Sequence, residues 1–179
     1  MVVDALIQWL DMPGELLVMV ISALPVVELR GAIPVGIGLL HLPWYTVTLL
    51  AIIGNLLPVP VLLLLFQALV KCARRVRLAA KLIKPLVQHA KRHSVTVEKY
   101  ERIGLTVFVA IPLPWTGAWT GSMVASLLGI SFRRAFFSIT AGVVISSATV
   151  TALFLMGWLG AVVAGIGLLA LAITGLWKT

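Results

Sequence analysis

Two side chains stand out as able to do chemistry, Glu28 and Arg30, in the run Leu24-Pro25-Val26-Val27-Glu28-Leu29-Arg30-Gly31-Ala32-Ile33-Pro34. Charges inside so apolar a stretch are costly at bilayer depth and mark a transport path by default. Two residues apart on a regular helix they point to nearly opposite sides, so they pair directly only where the backbone between Pro25 and Pro34 is unwound. Desolvation and the neighbouring guanidinium act on the Glu28 carboxyl in opposite senses, which leaves a group able to exchange protons. Arg30 stays charged and offers a planar fork to a carboxylate or phosphate. The bland alternative is a salt bridge that fixes local geometry or meets another subunit.

A second interruption supplies neutral polar groups. Ala110-Ile111-Pro112-Leu113-Pro114-Trp115-Thr116-Gly117-Ala118-Trp119-Thr120 breaks another apolar run, with Thr116 at a natural N-cap position. Thr116, Gly117, Trp119 and Thr120 are therefore candidate substrate-binding residues beside Glu28 and Arg30. Asn55 joins them as a lone amide deep in an apolar span. The breaks are assigned to Pro25, Pro34, Pro112 and Pro114. A helix that restarts at mid-depth after each break aims its free amides and positive dipole end inward, which favours an anionic ligand group.

The elements that must position these residues follow from composition. With 61% hydrophobic and 11% charged residues among 179, the chain cannot cover a water-soluble globule with polar surface. Residues 2–10 read as an interfacial helix. Residues 14–24 are stopped by Pro25, and eleven helical residues reach only about 16 Å into a core of about 30 Å. Residues 29–42 are similarly short, so the two form a re-entrant hairpin. Residues 44–70 make a full span opened by Trp44 and Tyr45, with Asn55, Pro58 and Pro60 near its middle. The second half repeats the order: 103–113, a proline break, 116–130, then full spans over 135–157 and 158–176. The expectation is an all-α integral membrane protein, an inverted repeat with two re-entrant helical hairpins of opposite orientation plus three full transmembrane helices. Its parts are a first repeat (14–70), a basic connector (71–102), a second repeat (103–157) and a C-terminal helix (158–179).

Charge sets the topology. Residues 71–102 carry ten of the fourteen Lys and Arg, and the net charge of +8 resides there. The positive-inside rule places this loop, Arg133, Arg134 and the C-terminus in the cytoplasm, with the N-terminus outside. The chain is then an inner-membrane protein of a prokaryote. Leu78, Leu82, Leu86 and Ala90 at four-residue spacing among basic residues make 71–92 a surface for anionic lipid. Apart from Tyr100 the loop carries no interleaved aromatics, so nucleic acid is not expected as a partner. No positive region precedes the first apolar segment, so no cleaved signal is expected.

Enzyme motifs are absent: no P-loop, HExxH, paired CxxC or GxSxG occurs. The chain is expected not to be an enzyme and to hold no cofactor. His89 and His93 lack a third ligand, so no metal is assigned, and Cys72 has no intrachain partner for a disulfide. Small-residue rows such as Gly117-xxx-Gly121 and Gly157-xxx-Ala161-xxx-Gly165 pack either within one chain or in a homo-oligomer.

Three segments, Glu28 to Pro34, Gly54-Asn55 with Pro58, and Pro112 to Gly121, resemble the small multidrug export protein family, over about residues 14–160. That family is distantly similar to the DedA (VTT-domain) superfamily of lipid-handling membrane proteins. The resemblance implies opposed re-entrant hairpins and transport, and, through DedA relatives, lipid carriers such as undecaprenyl phosphate and proton coupling. Val109 and Trp115 stand where DedA members often carry arginines. The leading expectation is a secondary transporter or flippase, proton-coupled, for an amphipathic anion such as a polyprenyl-phosphate or phospholipid headgroup. The alternatives are a multidrug exporter of lipophilic cations, an uncoupled lipid scramblase, and an assembly factor that transports nothing.

Overall fold

The described residues form seven α-helices, several of them cut short by prolines. A computed structural model describes residues 12–73, 95–112, 116–160, 162, 163 and 165. Among them the helices are α1 (Gly14–Ala23), α2 (Glu28–Pro34), α3 (Trp44–Leu56), α4 (Val59–Ala73), α5 (Val95–Ala110), α6 (Ala118–Leu128) and α7 (Phe132–Leu155), and no strand occurs. The expected interfacial helix at 2–10, nearly all of the anionic-lipid surface, Pro114 and Trp115, and most of the span at 158–176 lie outside the described residues.

Two rods are long and apolar enough to cross a bilayer. One runs from Trp44 to Cys72 over 29 residues, joining α3 and α4 through Leu57-Pro58; the other is α7, 24 residues. At about 1.5 Å per residue both exceed a hydrocarbon core of about 30 Å. Their flanks carry exposed Leu49, Ile53, Val61, Leu64, Val144 and Ile145, a surface that suits lipid and would be a liability in water. By contrast α1 and α6, with 10 and 11 residues, fall short of a crossing. The described residues are thus all-helical apart from their turns, with two helices long and apolar enough to span a membrane.

Packing is organised around the two rods. Helix α1 lies along α3, α5 lies along α7, α4 packs on α6, and α3 meets α7. Small residues make the close approaches. A Cβ at Gly54 would strike the backbone of Met19 on α1, and one at Gly142 would strike the Thr106 carbonyl and Val109 on α5. Hydroxyls reinforce the same two contacts: Ser22 Oγ donates to the Ala51 carbonyl at 2.6 Å and Thr106 Oγ1 to the Ser138 carbonyl at 3.1 Å. Val18, Ile33, Val47, Val109, Ile139 and Val143 fill the core between these helices.

Two expectations change. Pro34 is not a break. The helix runs through it and widens into a π-helical stretch, Val35–Leu39, with the Leu40 amide donating to the Val35 carbonyl at 3.0 Å. A wider turn absorbs the donor that proline lacks, so the chain continues instead of reversing. Helix α5 also begins at Val95, inside the stretch assigned to the basic connector, because no proline interrupts residues 95–110.

Candidate functional site

The first break concentrates backbone strain. After α1 ends at Ala23, Val26 and Glu28 adopt left-handed conformations with φ of 76° and 49°. For a β-branched residue such as Val26 that conformation costs about 1–2 kcal/mol, so the surroundings must hold it in place. Glu28 opens α2, is 6% exposed, and carries its carboxylate away from the axis towards the second half of the chain.

There it meets the start of α6. A Glu28 carboxylate oxygen accepts the Trp119 amide at 3.4 Å, and the Ala118 amide also bonds to the carboxylate. These are first-turn N–H groups with no partner inside their own helix, and a negative charge at that end is favoured by the helix dipole. Gly117 makes the approach feasible, since any Cβ there would overlap the Glu28 carboxylate. Thr120 secures the turn from the other side, its Oγ1 accepting the Gly117 amide at 2.9 Å. The Trp119 indole then ties the two breaks together by donating to the Ala23 carbonyl, the last of α1, at 3.2 Å.

Arg30 does the converse. Its Nη2 donates to Thr116 Oγ1 at 3.2 Å and reaches the Ile111 carbonyl, just past the end of α5, at 3.5 Å. Thr116 Oγ1 itself donates to that carbonyl at 2.7 Å. Carbonyls at a helix C-terminus are the negative end of the dipole, so the acid and the base of the first break each bind the matching end of the second. Glu28 and Arg30 do not pair directly. The unwinding that a direct pair requires is absent after Glu28, and the second break supplies each with a partner instead. The Arg30 Nε remains buried without a partner.

Pro25, Val26, Glu28, Arg30, Thr116, Gly117, Trp119 and Thr120 line one cavity of about 150 Å³ between the breaks. Six of the seven candidate binding residues therefore converge from segments nearly ninety positions apart, and Pro25 with Pro112 marks the two breaks. Asn55 is the exception. It is 1% exposed in the core, lines no part of this cavity, and neither of its polar atoms has a partner. The expectation of free helix-end amides for a ligand is also corrected: the Ala118 and Trp119 amides are already engaged by Glu28. Sequence reading missed the role of main-chain groups, the carbonyls of Ala23 and Ile111 and the two α6 amides, since every residue carries them. Among the described residues no cluster of His, Cys, Asp and Glu could hold a metal.

Comparison with known proteins gives one match. A family model described as "Putative small multi-drug export protein" covers residues 28–149, more than half of the chain, from the acid of the first break through most of α7. No curated protein sequence and no solved structure matches.

Proposed function

The chain belongs to this small multi-drug export family, and on that footing we propose that it is a secondary transporter that holds the anionic headgroup of an amphipathic substrate in the cavity between its two helix breaks. One observation carries the choice of ligand: the cavity is about 150 Å³ and is lined by Arg30, whose Nε has no hydrogen-bond partner. Sites for drug-sized molecules occupy roughly 300–1,000 Å³, so this space suits a phosphate or carboxylate head with its tail left outside. Leu24, Val26 and Val27 offer an exposed apolar edge beside it for such a tail. Arg30 is the headgroup clamp, with Thr116 and Thr120 completing the site. Glu28 is the proton-exchanging group: protonation would weaken its hold on the α6 amides and loosen one break from the other.

This reading takes the two halves as an inverted repeat. The contacts Gly54 with Met19 and Gly142 with Thr106, each reinforced by a hydroxyl from the shorter helix, support it, as does the matching order of short helix, break, short helix and long rod. Opposed hairpins meeting at mid-depth would place the site where alternating access requires it. The basic residues at the start of α7 support placing that end on the cytoplasmic side.

The family description itself favours a second reading, export of lipophilic cations with Glu28 as the binding carboxylate. Reconstitution in liposomes separates the two. With labelled polyprenyl phosphate and a cationic dye in parallel, Arg30→Ala should abolish anion flux, and Glu28→Gln should remove its dependence on a pH gradient. Dye flux that survives Arg30→Ala and vanishes in Glu28→Gln, with no anion flux in wild type, would replace the anion by the cation.

A further inference from the structure

A second cavity, apart from the one between the breaks, is an open groove of about 750 Å³ between α5 and α7, graded from charged to apolar along its length. The two helices run parallel here, since Thr106 bonds to Ser138 and Val109 packs on Gly142 four residues further along. Arg102 on α5 therefore lies level with Arg133 and Arg134 on α7, and all three line the same end. Beyond them the walls are Ile103 and Val107 on one side and Phe137 and Ala141 on the other, a reach of roughly 12 Å along the axis. Phe137 is 66% exposed, an aromatic ring standing uncovered beside the cationic end. On the floor the Thr106 hydroxyl is already spent on the Ser138 carbonyl.

We infer that this groove holds one anionic glycerophospholipid as a resident ligand, its phosphate at Arg102 and Arg133 and an acyl chain along Val107, Phe137 and Ala141. Charge complementarity fixes the head and the apolar walls fix the tail, as in basic pockets between membrane helices. The first-turn amides of α7 add a positive dipole at the phosphate end. A free inorganic anion would satisfy only the arginines and leave Phe137 uncovered. A zwitterionic lipid would bring its own cation to the guanidinium cluster. The lipid is distinct from the transported substrate, because the groove shares no residue with the Glu28 cavity.

Native mass spectrometry of the full chain, titrated with phosphatidylglycerol, phosphatidylcholine of the same acyl chains and glycerol phosphate, tests the assignment. Phosphatidylglycerol should bind most tightly. In the double variant Arg102→Ala/Arg133→Ala its affinity should fall about thirtyfold while that of phosphatidylcholine holds, which also shows that the groove is intact. Arg102→Lys/Arg133→Lys should retain the preference for the anionic lipid. Phe137→Ala should weaken both phospholipids without changing glycerol phosphate, and Glu28→Gln should change none of the three. Equal binding of the two phospholipids by wild type, an unchanged affinity in the double alanine variant, or glycerol phosphate binding as tightly as phosphatidylglycerol would overturn the inference.

Discussion

Gly117→Ala adds a single methyl group, and the structure says where that methyl must go: into the Glu28 carboxylate. The backbone at 117 is extended, φ −162°, so alanine adopts it without strain and any cost arises from the collision alone. Backbone cannot give way cheaply, because Thr120 holds the Gly117 amide at 2.9 Å and the Gly117 carbonyl accepts the Gly121 amide at 2.8 Å. The carboxylate must therefore leave the Ala118 and Trp119 amides while remaining buried. Losing two charge-assisted hydrogen bonds and stranding the acid costs about 3–5 kcal/mol, against a helix-propensity change of at most about 1 kcal/mol. In a chain of this size that lowers the melting temperature by about 6–20 °C, taking 2–4 °C per kcal/mol. Thermal unfolding of the detergent-solubilised protein measures it. Glu28→Asp withdraws the carboxylate by one carbon–carbon bond, about 1.5 Å, so the double variant Glu28→Asp/Gly117→Ala should recover part of the loss. Wild-type melting and wild-type transport in Gly117→Ala, or a double variant less stable than either single one, would refute the placement of Glu28 at the α6 terminus.

Three further outcomes follow from the same geometry. Asn55→Leu replaces two buried polar atoms without partners by methyl groups on the same branched skeleton, so stability should rise by about 1–3 kcal/mol; a fall in melting temperature would mean that the amide has a partner in the membrane or that the bulkier methyl groups overpack the site. Gly54→Ala and Gly142→Ala should each destabilise by about 1–3 kcal/mol and to similar degrees, as overpacking at equivalent contacts requires, and a large inequality in denaturation would count against the repeat. Val26→Gly should relieve about 1–2 kcal/mol of left-handed strain and raise the melting temperature while slowing anion flux in liposomes, since glycine no longer restricts the break to the conformation that presents Glu28; unchanged flux would detach that strain from transport.

The residue order alone decided the medium and the rods. Apolar runs of 29 and 24 residues are set by local composition, and Pro25 and Pro112 end helices because a missing N–H acts on its own turn. It also marked Glu28, Arg30, Thr116, Gly117, Trp119 and Thr120, since polar groups in an apolar run are conspicuous wherever they end up. Pro34 shows where local reasoning stops: the same missing donor that ends a helix at one position is absorbed by a π-helical stretch at another, depending on what packs around it. Asn55, as conspicuous in sequence as Arg30, went to the core because its helix turns that face inward. Which charge meets which helix end was decided only by the docking of the two breaks. That register sets Glu28 against the start of α6 and Arg30 against the end of α5, across more than eighty residues of chain. The partners are main-chain amides and carbonyls, identical in every residue type, so no side-chain pattern encodes them. Only the packed tertiary structure selects the few that remain free.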